Sequence, residues 1–433
     1  MTQTKKTAII NANVFDGKTL LGKKFVLFEN GLITKIGTDL PNADEFIDGS
    51  GCTLLPGLID AHVHTSVEFL KEALKFGITT ELEMMGGFTS KGRELQLKGI
   101  KNIADVRSAG MALTPPGGHP DELMPKGDGI PEFVLREMER MTEEEKKAFL
   151  EAHEKQKQGD EHTFDVTTIE GAIQFVHHQV YNGADYIKIM IEEGTVLNAP
   201  GLPMIQPEVM KAAVSEAHRL GKITIAHVLT AEAAKTAVEI GIDGLAHLFI
   251  DRPDWTPELI QSIAKKRIFV TPCLVLNSSI IGKTACHIAN DVRVAGKLNA
   301  EWKNTLCSCF HTFPEGKMED NLNNVLDLHK AGVDILTGTD VSVPIPTLGG
   351  LAHGVSVHHE MQLLVKAGLS PTEALRAATS VPARRFSLSD RGIIAEGYNA
   401  DLVLVKGNPT EDIKDTLSII EVWKDGVKTY STL

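Results

Sequence analysis

Hydrophobic and polar positions alternate in short runs over residues 1–56. Ala8–Phe15 reads as a strand closed by Asp16-Gly17. Phe25–Phe28 reads as a second, closed by Glu29-Asn30-Gly31, and Leu32–Gly37 as a third. Period-two alternation bounded by such turns marks antiparallel hairpins. Residues 386–433 have the same texture, with strands at Ala400–Val405 and Ile419–Trp423 and a hairpin turn at Lys424-Asp425-Gly426-Val427. Neither end has enough strands to bury a sheet face by itself. The pattern therefore predicts one small β-sandwich assembled from both chain ends.

Residues 57–385 are patterned differently. Short apolar runs alternate with stretches of helical period. Eight strands are expected: Leu58–His64, Ile78–Met85, Ser108–Leu113, Tyr186–Met190, Ile223–His227, Gly244–His247, Ile268–Leu274 and Ile335–Asp340. Helices are expected between them, among them Val67–Lys75, Gly171–Asn182, Pro207–Leu220, Ala231–Ile240, Pro257–Lys265 and Leu322–Lys330. Repeated βα units imply a parallel sheet, and eight of them an α/β fold of the (β/α)8 barrel type. Two connections exceed what a βα loop needs. Residues 114–165 open on Pro115-Pro116-Gly117-Gly118-His119-Pro120 and run into a charged helical stretch, Glu139–Lys157. Residues 277–316 carry Cys286, His287, Trp302 and His311. Inserts of this size serve as lids or as contacts between copies, so a homo-oligomer is expected.

Charge narrows the partners. A formal net charge of −13 opposes binding to the phosphates of nucleic acid or to anionic membranes. No apolar run has the ~18–20 residues that span a bilayer. Met1–Lys6 leads straight into a strand-like run with no apolar signal core. The five cysteines, Cys52, Cys273, Cys286, Cys307 and Cys309, form no disulfide framework in a chain of 433 residues, and Cys307 and Cys309 read as ordinary thiols. A cytoplasmic protein acting on a small molecule is expected.

Catalytic groups of a barrel sit at the C-terminal ends of its strands. Those ends carry His62 and His64, Lys188, His227, His247 and Asp340. His62 and His64 stand two apart, which places both on one face of a strand. That spacing alone fits either a metal site or two hydrogen-bonded polar positions. Each of the others also has an ordinary structural reading, but six such groups at the ends of five strands make a joint signal. Imidazoles and a carboxylate suit Zn²⁺ and similar ions. Burial lowers a lysine's pKa, and the neutral amine can add carbon dioxide to become a carbamate, an anionic ligand able to bridge two ions. Two ions together can hold a hydroxide and polarise a substrate oxygen.

At these residues the chain resembles the amidohydrolase superfamily. The resemblance extends over the split β-sandwich, Pro56-Gly57-Leu58-Ile59-Asp60-Ala61-His62-Val63-His64, the two later histidine strands, Thr337-Gly338-Thr339-Asp340 and the return segment Arg391–Val403. Tyr186-Ile187-Lys188-Ile189-Met190 is similar to the branch with a carboxylated lysine, which includes Xaa-Pro dipeptidases and ochratoxin-hydrolysing amidases. Gly117-Gly118-His119 and His358-His359-Glu360 also resemble that branch. The resemblance implies two divalent ions, expected to be zinc. One would be held by His62, His64 and Asp340, the other by His227 and His247, with carboxylated Lys188 and a hydroxide between them. It also implies Asp340 as the proton shuttle in hydrolysis of an amide C–N bond of a peptide-like or N-acyl amino acid substrate. The same set could act on an ester, lactone or phosphotriester, and a non-catalytic scaffold would be marked by a missing ligand, of which there is none.

The chain departs from that pattern at two places. Glu81-Leu82-Glu83-Met84-Met85-Gly86-Gly87 stands where relatives often carry Arg-Asp before the glycines, and Glu192-Glu193 where relatives often have small residues. Carboxylates facing the pocket would disfavour a substrate with a free carboxylate there. His119 is expected to contact the substrate carbonyl, and Glu192 and His353 are further candidate substrate residues. His177, His178, His358 and His359 fall on expected helices, where neighbours diverge and cannot share one site.

Overall fold

The fold is seen in a computed structural model that describes residues 5–123, 143, 146, 147 and 164–432. Almost all of the charged helix expected at 139–157 lies outside the described residues.

The chain ends build one mixed eight-stranded sheet. Its order is β15-β14-β13-β5-β1-β2-β3, with β4 added on β1. The N-terminal members are β1 (Thr7–Phe15), β2 (Leu20–Glu29), β3 (Leu32–Gly37), β4 (Glu45–Asp48) and β5 (Cys52–Pro56). The C-terminal members are β13 (Leu402–Lys406), β14 (Ile419–Lys424) and β15 (Val427–Ser431). The join is β5, parallel to β1 and antiparallel to β13, with Leu402 opposite Pro56 and Lys406 opposite Cys52. Both faces are covered because side chains alternate along a strand. Ile9, Val26, Phe28, Leu54, Leu402 and Trp423 form the sheet's own core, while Leu55, Val403, Val405 and Val422 pack into the large core of the rest. The pairing runs as one continuous sheet, which folds on itself so that Phe28 of β2 meets Trp423 of β14 with ring centroids 6.1 Å apart.

The middle of the chain supplies parallel strands. A three-stranded sheet runs β6 (Leu58–Val63), β7 (Ile78–Glu83), β8 (Asp105–Ser108). A four-stranded sheet contains β9 (Ile187–Met190), β10 (Thr224–His227), β11 (Gly244–Ala246) and β12 (Phe269–Thr271). Isolated parallel bridges link these sheets, Leu113 to Ile189, Val270 to Ile335 and Val63 to Val341. One apolar cluster draws on β6, β7, β10, β11 and β12 through Ile59, Leu82, Ile225, Ala246 and Phe269, together with Ala109 just after β8, Tyr186 just before β9 and Leu336 from the segment after β12. Helices cover the outside. Pro207–Arg219 starts on a proline, and Ala231–Ile240 is capped by Thr230 and stopped by Gly241 at φ +93°.

Three expected strands differ from what is observed; the seventh, expected over Ile268–Leu274, spans only Phe269–Thr271, and Leu274 opens a helix. The third is found at Asp105–Ser108, because Gly110 turns the chain out at φ +67°. Only Leu113 rejoins β9, donating its N–H to Lys188 O at 2.9 Å. The eighth is an irregular segment. Leu336 N bonds Val270 O, but Thr337 N is taken by Ala377 O, and Gly338 lies so close to β6 that a Cβ there would come within 3.0 Å of His62 N. Gly57, between β5 and β6, is required for a similar reason, since a Cβ would fall 2.0 Å from Thr79 Oγ1. The thiol reading is corrected at one pair. Cys286 and Cys307 form a disulfide with Cα atoms 4.3 Å apart, leaving Cys52, Cys273 and Cys309 free. No helix among the described residues is long and apolar enough to cross a membrane.

Arg391 joins the two parts. It is buried, donates to Thr80 Oγ1 at 3.1 Å, clasps Asp390 and pairs with Asp105 at the start of β8. Burial favours the neutral acid, but Arg391 and Arg107 outweigh it and hold the Asp105 carboxyl well below its ordinary value. Removing one partner strands the other charge. Arg391→Ala is expected to lower unfolding stability by about 3 kcal/mol at pH 7 in urea titrations. A depressed carboxyl pKa contributes stability above its unfolded value, about 4, which is lost as pH falls through the folded value. The deficit of the variant should therefore shrink below about pH 4; an unchanged deficit at pH 3 would show that the Asp105 charge is not its source.

Candidate metal centre

The centre begins with β6 and the segment opposite it. Thr339 N and Asp340 N both donate to His62 O, at 3.2 and 2.8 Å, and His64 N donates to Val341 O at 2.9 Å. This ladder sets the Asp340 carboxylate against both histidines, with Oδ1 3.0 Å from His62 Nε2 and 3.2 Å from His64 Nε2. Beneath them Asp60 accepts from His62 N, Thr339 N and Thr339 Oγ1 at 3.2, 3.1 and 2.7 Å. Asp60 thus ties the two chain segments together. The backbone is held in unusual shape here: Asp340, His247 and Cys273 are all left-handed, at φ +60°, +69° and +48°. Such conformations persist only where surrounding contacts over-determine them.

From His62 a row of imidazoles crosses the strand ends. Ring centroids lie 4.5 Å apart for His62 and His247, 4.6 Å for His247 and His227, and 4.4 Å for His227 and His119. His64 flanks the other end, 5.9 Å from His62. His247 Nε2 lies 3.8 Å from Asp340 Oδ2. Lys188, from β9, is buried, and its Nζ has no hydrogen-bond partner. The six residues singled out by the strand-end rule are thus gathered at one place.

Their electrostatics follow from burial and from one another. Desolvation, then the Lys188 charge, pushes His62 down to about 4, and burial holds His227 and His247 well below the ordinary histidine value. Neutral imidazoles with free lone pairs result, which is the state a metal requires. Burial brings Lys188 down to about 8 against the pull of Asp340. Asp340 goes the other way: despite its burial, His247 and His62 keep it well below the usual carboxylate range. His64 is raised, because Asp340 and the Met85 carbonyl, 3.1 Å from Nδ1, overcome desolvation.

The donors fit a divalent ion. His62, His64 and Asp340 bring their ligand atoms within 4.8 Å of one another, as do His62, His247 and Cys273. His62 Nδ1, His247 Nδ1 and Lys188 Nζ are buried without partners, and such atoms call for an explanation. Cys273 was not among the expected site residues. It lies just past β12, where the strand-end rule applied to the seventh strand would have found it.

The substrate candidates divide. Glu192 is buried at the site, with Oε2 3.2 Å from His227 Nε2 and Oε1 accepting from Gly194 N. Glu193 instead holds the Thr195 turn. His119 is fixed by Glu122, Nδ1 to Oε1 2.6 Å. No pattern marks Glu122, since its placement depends on the turn at Pro115–Pro120. His353 joins none of these ring contacts. It is held by Ser342 O at 3.0 Å and Glu81 Oε1 at 3.4 Å and stacks on Phe69. Glu83 accepts from Phe88 N at 2.9 Å. His358 bonds Phe76 O, whereas His359 meets His287, so the two diverge as expected.

The chain belongs to the amidohydrolase family, whose model matches residues 53–429. Among characterised relatives, ochratoxinase of Aspergillus niger is 26% identical over 268 residues, 60% of this chain and 49% of that protein. The chain thus spans about half the length of the curated relatives it matches. Among solved structures, a Xaa-Pro dipeptidase with methionine bound in its active site superposes with a TM-score of 0.70 at 21% identity, covering 98% of this chain and all of that one. The A. niger ochratoxinase structure gives 0.69 at 21% identity, with 99% and 96% covered. At these identities the superpositions establish a shared fold.

Lys188 gives a direct test. A buried amine without a partner opposes folding. Lys188→Met is therefore expected to raise the melting temperature of metal-free protein while abolishing metal retention, measured by elemental analysis. A lower melting temperature would show that Nζ has a polar partner in the folded chain.

Proposed function

We propose that the protein is a binuclear metal-dependent hydrolase that cleaves an amide C–N bond in a peptide-like or N-acyl amino acid substrate. One observation carries this reading: four neutral or carboxylate-paired imidazoles, an unpartnered buried lysine and an ionised aspartate meet at one set of strand ends. Family membership supports it, as does the ochratoxinase relative. His62, His64 and Asp340 would hold one ion, His227 and His247 the other, and Lys188, as a carbamate, would lie between them. Zinc suits this nitrogen and oxygen donor set. When bound, the ions would supply the positive charge that polarises the scissile carbonyl and acidifies the attacking water.

The remaining steps belong to the chain. Asp340, kept ionised by its histidines, takes the proton of the attacking water and returns it to the leaving nitrogen. His119, with Nδ1 fixed by Glu122, turns its other nitrogen to the substrate carbonyl. Glu192 borders the site beside His227 and disfavours a free carboxylate there. We read residues 57–385 as a (β/α)8 ring closed by the three isolated bridges, flanked by sheet segments 1–56 and 386–433. The interior cluster, to which five of the strands and residues flanking the other two contribute, supports that closure.

Chelation should abolish turnover of N-acyl amino acids or dipeptides, and Zn²⁺ should restore it. Activity indifferent to chelation, with no metal by elemental analysis, would overturn the reading. Asp340→Asn should keep the fold by circular dichroism and lose about two to four orders of magnitude in kcat. Rates for amides, lactones and phosphotriesters measured side by side decide the bond; faster ester than amide cleavage at equal concentration would reassign it.

A further inference from the structure

A cavity of about 360 Å³ lies apart from the imidazole row. Its walls come from the chain just after helix Leu274–Ile280, from helix Val355–Ala367 and from the turn Ile413–Leu417. Five of its lining residues are Lys283, His287, His359, Lys366 and Lys414, and none is Asp or Glu. In a chain with 57 acidic and 44 basic residues, that local reversal of sign is not what composition dictates. Among the described residues no carboxylate pairs with any of the three ammonium groups.

Three acids within two residues of lining positions are engaged elsewhere. Asp412 Oδ1 accepts from the Lys414 backbone N–H at 3.0 Å, and Asp415 Oδ2 from Asn408 N at 2.8 Å. Glu360, next to His359, turns inward and accepts from Leu274 N and Val275 N at 2.9 and 2.8 Å. His359 is only 8% exposed and its Nδ1 lacks a partner. Its ring stands edge-on to His287 with centroids 5.0 Å apart. Burial, with smaller contributions from His287 and Lys366, pushes His359 down to about 4.

We propose that this cavity binds a small multivalent anion of the phosphate type. Lys283, Lys366 and Lys414 line it from three separate parts of the chain, and a phosphoryl group offers oxygens on several sides to meet such donors. A monocarboxylate has one charge and two oxygens in a plane and would leave most of the donors unanswered. Lysine ammonium groups serve phosphate as point charges, without needing the planar match that arginine makes. No residue is shared with the candidate metal centre, so the site does not depend on the hydrolase reading.

The test is calorimetric titration of metal-loaded protein with inorganic phosphate and with pyrophosphate at constant ionic strength. Saturable binding is expected. The double variant Lys283→Glu/Lys366→Glu should weaken it by about tenfold or more, with melting temperature and metal content unchanged. If the double variant is destabilised, Lys366→Ala, an exposed helical position, should still weaken binding. No saturable binding by wild type overturns the proposal. So does equal binding by wild type and variants, since that would place the anion at the metal centre or elsewhere.

Discussion

The whole site rests on a carboxylate that solvent does not reach. Asp60 accepts from His62 N, Thr339 N and the Thr339 hydroxyl, and so holds together two segments 279 residues apart in the sequence. Burial pushes its own pKa well up, and these three donors pull against that. Buried polar groups are worth most when fully satisfied. Here the satisfied group fixes the register in which His62, His64 and Asp340 meet. The left-handed backbone at Asp340 and the tight approach of Gly338 to β6 follow from the same register.

Around that clamp the charges are balanced unevenly. Lys188 is a buried amine with no hydrogen bond, and the imidazoles beside it are driven neutral. A folded chain carries such groups at the expense of its stability. Their concentration at one set of strand ends is the arrangement expected of a functional centre rather than of a core. Three further carboxylates are buried: Glu81 and Glu83 inside β7, beside His353 and Phe88 N, and Glu192 beside His227.

Much of this was legible in the sequence because period and strand-end position are local signals. The His-Val-His spacing, Lys188 inside an apolar run, and the histidines closing Ile223–His227 and Gly244–His247 needed only alternation and the barrel rule. The helices at 207–219 and 231–240 were legible from period. What was not legible depends on contacts distant in sequence. The third strand stops early because Gly110 turns left-handed. The segment at 335–340 is irregular because a helix-end carbonyl from Ala377 takes the Thr337 amide. Nothing local marks Glu122 as the partner of His119, or Cys286 as that of Cys307. The terminal sheet was recognised as a joint structure, but that β5 joins its two halves by pairing on both edges depends on contacts distant in sequence.

That placement of β5 bears on how the chain is made. One edge of β5 pairs with β1, which has already been synthesised, and the other with β13, which has not. Between Pro56 and Leu402 lie residues 57–401, all of which must be translated first. At roughly 5–20 residues per second this takes about 17–70 s. Throughout that interval the nascent N-terminal strands present an apolar edge, Thr53-Leu54-Leu55, with no partner from their own chain. An unpaired edge is a template for wrong pairing. The protein is therefore most exposed to misassembly on the ribosome, and translation speed through the middle of the chain sets how long that exposure lasts.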